Sequence, residues 1–266
     1  MPQLCSENYY STIANYEYMS VSQYKDFIGT YGKAACEEQA LAKMKGKWVE
    51  EKSTALLVGG YCDAYFEGTL DEYKLANPQI FKKDGSLKAD YLHADTIIRR
   101  IERDNMFMTL MSGEKQVIMT GVIGGVKWKI KMDSYIPGKC ITDLKIVESL
   151  YKGKNVGDVG KMEFVRYWGY DIQGAIYQEV VRQNTGETVP FYIAAASKEK
   201  HPRIDWFGIP NGYLKDVLTG VELALPHVLD VKYGRVKPIR CGLCDYCADT
   251  YVITKPTSIF DIPFYI

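Results

Sequence analysis

The spacing of apolar residues along the chain changes from a helical period to a strand period and back. Apolar positions recur every three to four residues in three N-terminal segments, at residues 20–45, 50–66 and 91–111. Ser20 and Gln23 have the spacing of a capping box, which predicts that the first helix begins there. A break between Gly29 and Gly32 divides the rest of that segment, and Gly68 is placed to end the second helix.

Apolar and polar residues then alternate, which predicts a meander of three strands joined by hairpins, at residues 116–121, 124–135 and 140–147. Further patterns predict helices at residues 171–183 and 212–233 and a strand at residues 190–196. Asp171 is the expected N-cap of the first of these helices, and Pro226 is expected to kink or split the second. This order predicts an α/β (α+β) fold with a mixed central β-sheet flanked by helices.

Composition narrows the class of protein without naming a partner. The chain has 266 residues, 47% of them hydrophobic, with 33 basic and 33 acidic side chains, so net charge does not point to nucleic acid. No run of 18 apolar residues and no signal-peptide pattern occur, so we expect a cytoplasmic protein that does not enter membranes. Seven cysteines are an odd number, which argues against a disulfide framework and favours metal binding or chemistry.

Candidate chemistry lies on the second and third predicted strands. Asp133 ends one strand, and Asp143 and Lys145 are two residues apart on the next, so their side chains share a face. Carboxylates that bind a divalent cation, with a lysine that orients or deprotonates water, suit the hydrolysis of phosphodiesters. Leu144 is expected to point into the core while its backbone carbonyl is available as a further metal ligand. A solvent-exposed salt pair is the common alternative for Asp-x-Lys on a strand.

Together these segments resemble the PD-(D/E)XK nuclease superfamily, in its RecB-like branch, and within it the RecE-type (exodeoxyribonuclease VIII-like) exonucleases of phages and prophages. Residues 59–68 resemble a helix motif in which Asp63 stands where the branch often has a metal-binding histidine. Gln173 and Tyr177 match a Gln-x-x-x-Tyr motif and are four apart, so they share a helix face. The resemblance covers roughly residues 18–250.

The resemblance implies a restriction-endonuclease-like core and one nuclease domain over residues 1–266, with a core at about 18–235 and a cysteine-containing tail at 236–266. It implies Mg²⁺ or Mn²⁺ bound by Asp63, Asp133 and Asp143, with Lys145 catalytic and with Gln173 and Tyr177 contacting DNA or supporting the site. The implied activity is an exodeoxyribonuclease that degrades double-stranded DNA from its ends to leave single-stranded tails for recombination. A single-strand annealing protein and a homo-oligomer are the implied partners. The alternatives are a structure-specific endonuclease of the RecB-like branch and a DNA-binding module with a degenerate core.

A second signal is the cysteine cluster of the tail. Cys241, Cys244 and Cys247 follow one another at three-residue spacing, which suits a metal ion or an iron–sulfur cluster. Some RecB-like nucleases hold a [4Fe–4S] cluster with three C-terminal cysteines and one near an N-terminal helix, and this resemblance makes Cys36 the fourth ligand. A tetrahedral Zn²⁺ site and a metal-free tail are the alternatives.

Lysines near these motifs are candidates for contact with DNA phosphates. Lys127, Lys129 and Lys131 alternate along the strand that ends at Asp133, and Lys198 follows the strand at residues 190–196. Each group is also typical of a solvated surface.

Overall fold

The computed structural model describes residues 4–261. Its helices, numbered in chain order, are α1 (Thr12–Glu17), α2 (Val21–Ile28), α3 (Glu37–Met44), α4 (Thr54–Glu67), α5 (Leu70–Ala76), α6 (Ala89–Glu102), α7 (Asn105–Leu110), α8 (Phe164–Tyr167), α9 (Tyr170–Thr185), α10 (Asn211–Lys232) and α11 (Asp245–Asp249). Its strands are β1 (Val117–Ile123), β2 (Val126–Met132), β3 (Ser134–Ile136), β4 (Cys140–Val147), β5 (Lys154–Val156), β6 (Gly160–Met162), β7 (Phe191–Ser197) and β8 (Ile204–Gly208).

A four-stranded sheet with the order β3-β4-β7-β8 forms the centre of the fold. β4 and β7 are parallel, and the antiparallel strands β3 and β8 pair with their outer edges. The chain returns from β4 to β7 through α8 and α9, as a parallel pair requires a long crossover. β1 and β2 form a separate antiparallel hairpin that packs on α9.

Helices cover both faces of the sheet because β7 is apolar on both of its sides. Ile193 and Ala195 lie in a core cluster with α9, α10 and the β1–β2 hairpin. Ala194 and Ala196 lie in a second cluster with α4 and α6. The predicted mixed sheet flanked by helices is therefore confirmed.

Several predicted elements differ in detail. The helix predicted at residues 91–111 is two helices, because Asp104 caps α7 through a 2.9 Å hydrogen bond from the Phe107 amide. The helix α9 begins after Gly169, which has a φ of 62°, so Asp171 is not its N-cap. α10 continues through Pro226 without splitting. The strand β8 was not predicted, and Ser20 with Gln23 forms the expected capping box.

The predicted three-stranded meander is wrong in one respect that shapes the site. The long strand at residues 124–135 stops at Met132 and resumes at Ser134, so β2 and β3 belong to different sheets. Asp133 occupies the break between them. Gly124 and Gly125, both with positive φ, make the tight turn of the β1–β2 hairpin.

The single-domain boundaries stay a prediction.

Among the described residues no helix combines the length and the apolar character needed to cross a membrane.

Lys129 departs from the expected exposed face of β2. Only 1% of the residue is accessible, because residues that precede α2 cover the middle of the strand. Its ammonium donates to the Tyr9 carbonyl and to Asn15 Oδ1 at 2.7 Å and lies 4.6 Å from the centre of the Tyr9 ring. Burial, together with the charge of Lys232, lowers the pKa of Lys129 to about 8. Lys129 is therefore an internal lysine and is not placed to contact DNA.

This internal lysine predicts a pH dependence of stability. An unfolded lysine keeps its proton to about pH 10, whereas Lys129 releases it near a pKa of about 8, so the unfolded chain binds more protons between these values. The free energy of unfolding should therefore rise between about pH 7.5 and 9.5, and Lys129→Met should reduce that rise by about 1 kcal/mol. Urea denaturation at several pH values measures it.

Lys127→Met is the matched control, because Lys127 lies on the same strand, is exposed and pairs with Glu17. It should leave the rise intact. An unchanged rise in Lys129→Met would show that Lys129 keeps its proton in the folded protein.

Candidate active site

Asp133 and β4 meet where the pairing of β3 with β4 ends. The last pair in register is Ser134 with Thr142, and β4 continues beyond it through Asp143. Asp133 Oδ2 accepts a 2.9 Å hydrogen bond from the Leu144 amide, a donor that has no strand partner on this side. The carboxylate thus lies beside the Asp-x-Lys segment, while the Leu144 side chain is buried among α4 and α6.

Asp143 is nearly enclosed and has two polar partners from this site. Its Oδ2 forms an ion pair with the Lys145 ammonium, and its Oδ1 accepts a 2.5 Å hydrogen bond from Gln173 Nε2 on α9. The Lys145 ammonium also reaches the Leu144 carbonyl at 3.3 Å, so this carbonyl faces the same site. One turn along α9, the Tyr177 hydroxyl donates to the Lys131 carbonyl at 2.9 Å and holds α9 against β2.

Two carboxylates on α4 line the same cleft. Asp63 and Glu67 are four residues apart, so they lie on one face of the helix. The cleft, which we call the active-site cleft, has a volume of about 270 Å³. Its other polar lining residues include Tyr9, Tyr10, Lys25, Gln116, Lys131, Asp133, Asp143, Lys145, Gln173 and Tyr177.

The carboxylates repel one another at positions that are largely buried. Burial, and then the charge of Asp133, raises the pKa of Asp63 well above its ordinary value. Burial, and then the charge of Asp143, raises the pKa of Asp133 to about 7. Burial acts to lower the pKa of Lys145, but the charges of Asp143 and Asp133 outweigh it and raise this pKa. The charged forms of Asp63 and Asp133 are therefore disfavoured in the cleft.

Gln116 and Glu67 were not predicted as site residues. Gln116 Nε2 donates to Glu67 Oε1 at 2.5 Å, while the buried Gln116 Oε1 has no hydrogen-bond partner among the described residues. Gln116 also has a φ of 54°, which is unusual for a residue with a side chain. Neither residue stands in a spacing motif with the Asp-x-Lys segment, so only the fold brings them together.

Lys25 is a third residue that the sequence motifs did not indicate. Its ammonium donates to the Trp168 carbonyl at 3.1 Å and lies 5.4 Å from the centre of the Tyr170 ring, which Lys145 approaches to 5.0 Å. Burial, and then the charge of Lys145, lowers the pKa of Lys25 to about 8. The capping box of α2 starts the helix that carries this lysine into the cleft.

The residues of the cleft fit a divalent cation. Asp63, Asp133 and Asp143 supply hard oxygen donors, and Glu67 supplies a fourth carboxylate nearby. The unpartnered Gln116 oxygen adds a neutral acceptor that suits a metal-bound water or the metal itself. A cation here would also offset the mutual repulsion of the carboxylates.

The predicted DNA-contacting lysines are separated by the fold. Lys131 lines the active-site cleft, with its ammonium 5.0 Å from the centre of the Tyr10 ring. Lys127 is exposed and pairs with Glu17, and Lys129 is internal. Lys198 lines a second, larger groove with a volume of about 670 Å³. Ser22 and Lys25 line both cavities, so the groove adjoins the active-site cleft.

All four cysteines named as cluster ligands come together. The sulfur atoms of Cys36, Cys241, Cys244 and Cys247 lie within 4.8 Å of one another. Cys36 precedes α3, and the other three lie in the segment after α10. The four side chains form an arrangement that could bind metal.

Comparisons with known proteins agree with this architecture. A family model described as "PDDEXK-like domain of unknown function (DUF3799)" matches residues 20–250. A crystal structure of a "Putative exonuclease" from Eubacterium rectale is 58% identical, covers 98% of this chain and 98% of that chain, and has a TM-score of 0.96. The crystal structure of SSO0001 is 14% identical, covers 79% of this chain and 95% of that chain, and has a TM-score of 0.30, too low to carry an argument. No curated protein matches the chain.

These findings confirm the predicted superfamily and fold, while the RecE-type branch stays a prediction. With Asp133 hydrogen-bonded to the Asp143-Leu144-Lys145 segment of β4, and with a family match over residues 20–250, the chain belongs to the PDDEXK-like family.

Proposed function

We propose that this protein is a Mg²⁺- or Mn²⁺-dependent exodeoxyribonuclease that degrades double-stranded DNA from its ends. The observation that carries the proposal is the contact of Asp133 Oδ2 with the Leu144 amide, which sets two carboxylates and Lys145 around one cleft. The RecE-type resemblance extends the proposal to single-stranded tails for recombination, a single-strand annealing partner and a homo-oligomer.

The residues of the cleft divide the chemistry among them. Asp133, Asp143 and Asp63 would hold one or two divalent cations, which activate water and stabilise the negative charge that develops on the phosphate. Lys145 Nζ, between Asp143 Oδ2 and the Leu144 carbonyl, would orient the attacking water and handle its proton. Gln173 would hold the Asp143 carboxylate in place through its 2.5 Å hydrogen bond, and Tyr177 would fix α9.

The groove that adjoins the cleft supports a path for the DNA backbone. We call it the lysine groove; its lysines are Lys25, Lys33, Lys43, Lys152, Lys154 and Lys198. Three of them are already paired: Lys33 and Lys43 with Asp26 and Glu50, and Lys154 with Glu148. Lys152 and Lys198 are the better candidates for phosphate contact, because no salt bridge is found for them among the described residues.

Action at DNA ends is supported by the description of the Eubacterium rectale relative as a "Putative exonuclease", at 58% identity over nearly the whole chain. A RecB-like structure-specific endonuclease with the same cleft is the second candidate, because the cleft alone does not distinguish ends from internal sites. The presence of Asp133, Asp143 and Lys145 in one cleft argues against a degenerate DNA-binding module.

Asp143→Asn should abolish the activity while keeping the fold. Asparagine retains the acceptor for Gln173 but loses the charge that binds the cation, so we expect at least roughly a 100-fold loss in the rate of DNA degradation. The measurement compares linear duplex DNA with covalently closed circles in the presence of Mg²⁺. The wild type should degrade the linear DNA and spare the circle.

Asp216→Asn is the control, since Asp216 is exposed on α10 away from the cleft. Circular dichroism checks the fold of both variants. Undiminished degradation by Asp143→Asn would contradict the site, and cleavage of the closed circle by the wild type would favour the endonuclease.

Glu67→Gln tests the residue pair that the sequence motifs did not indicate. Because Glu67 adds negative charge to the cleft and bonds to Gln116, its neutralisation should weaken cation binding about 10-fold, with turnover restored at saturating Mg²⁺. Activity measured against Mg²⁺ concentration gives this shift. Glu72→Gln, exposed on α5, should behave as wild type. An identical Mg²⁺ dependence in Glu67→Gln would exclude Glu67 from the metal site.

The lysine groove predicts a salt-dependent contribution to DNA binding. In an Asp143→Asn background, Lys152→Ala with Lys198→Ala should weaken binding and reduce the slope of log affinity against log salt by about 2. The control removes two exposed lysines outside the groove, Lys82 and Lys215, for the same change in net charge. Equal slopes in the two double variants would exclude the groove as the DNA path.

A further inference from the structure

The geometry points to a single tetrahedral Zn²⁺ ion held by Cys36, Cys241, Cys244 and Cys247, and not to the [4Fe–4S] cluster that the RecB-like resemblance implies. The four thiols form one compact group at the junction of α3 and the segment after α10. This site is separate from the carboxylates of the active-site cleft, and its assignment does not depend on the proposed nuclease activity.

Sulfur separations distinguish the two kinds of centre. The Cys36 and Cys247 sulfurs are 3.6 Å apart, the Cys241 and Cys247 sulfurs are 3.8 Å apart, and all four lie within 4.8 Å of one another. Thiolates bound to one Zn²⁺ at about 2.3 Å in a tetrahedron must lie about 3.8 Å from each other. Thiolates around a [4Fe–4S] cube each bind a different iron, with sulfides between, so their sulfurs lie roughly 6 Å apart. The observed spacing fits one ion and leaves no room for a cube.

The backbone around the thiols is shaped for a bound thiolate. Gly242 has a φ of 76°, which lets the chain turn between Cys241 and Cys244. After this turn the Leu243 amide donates to the Cys241 sulfur at 3.4 Å, an interaction that stabilises negative charge on the sulfur. Cys36 and Cys247 are almost fully buried, while Cys241 and Cys244 are partly exposed, which leaves a path for the ion to enter.

Charged residues lock the same segment to α3. The Glu37 carboxylate accepts a 2.7 Å hydrogen bond from the Ile239 amide, and Arg240 pairs with Glu38 at 2.9 Å. Arg240 also donates to the Cys247 carbonyl at 2.8 Å. Two cysteine-bearing elements far apart in sequence are thus already held in register, so the ion would complete the site without rearranging it.

The ion would act as a structural clamp. Few apolar side chains between α10 and residue 261 are buried, so metal binding would supply much of the free energy that keeps this segment on α3. Cys36 comes from the N-terminal part of the chain and the other ligands from its C-terminal part, and the ion would join the two.

Elemental analysis of the full-length wild-type protein, purified both aerobically and anaerobically, tests the assignment. We expect one zinc per chain and no iron, including after incubation with iron and sulfide under reducing conditions. Exchange with Co²⁺ should give the visible absorption of tetrahedral thiolate ligation. About four irons per chain with a brown colour would overturn the proposal, as would a Cys36–Cys247 disulfide in protein that binds no zinc.

Two further measurements identify the ligands. Cys244→Ser should lose zinc and lower the melting temperature, whereas Cys5→Ser, an exposed cysteine outside the group, should keep both. If Cys244→Ser does not fold, alkylation of the wild type with peptide mapping decides. Cys36, Cys241, Cys244 and Cys247 should be protected when zinc is bound and modified after a strong chelator removes it. Equal modification of these four with and without zinc would refute the site.

Discussion

The hydrogen bond from the Leu144 amide to Asp133 Oδ2 is the contact on which the cleft depends. It requires that the strand break at Asp133, because a continuous strand would pair its own backbone with this amide. The break sends β2 into the hairpin on α9 and β3 into the central sheet. The gap between the two sheets is where α4 and α2 bring Asp63 and Lys25 to Asp143. One interrupted strand thus creates the cleft and supplies its first carboxylate.

The same cleft stores unfavourable electrostatic energy. Asp63, Asp133 and Asp143 are crowded in a site where burial already disfavours their charged forms. Lys145 offsets only part of this charge, and Gln173 satisfies one oxygen of Asp143. Such a cluster lowers the stability of the fold, and the binding of the proposed cation would recover that energy. This exchange is typical of sites that evolve for ligand binding at the expense of stability.

Local sequence patterns correctly predicted the elements that depend on interactions between residues close together in the chain. The capping box of Ser20 and the strand at residues 140–147 depend on neighbours in sequence, and both are found in the structure. The break at Asp133 was missed because it arises from competition between two sheets, which alternation along one strand does not record. Glu67 and Gln116 were missed for the same reason: their hydrogen bond joins residues 49 apart. Lys129 looked exposed because the residues that cover it lie more than a hundred positions away.

The cysteine group and the active-site cleft are connected through packed helices. Cys36 immediately precedes α3, and α3 packs on α2. Lys43, near the end of α3, pairs with Asp26 of α2 at 2.6 Å, next to the Lys25 that enters the cleft. The position of Lys25 relative to Asp143 therefore depends on how firmly α3 is held. At eight residues, α2 is too short to be a stable helix by itself, so it depends on its packing against α3. A clamp at the start of α3 would therefore also restrain α2 and Lys25. The tail after α10 would in this way contribute to the precision of a cleft that none of its residues up to 261 line.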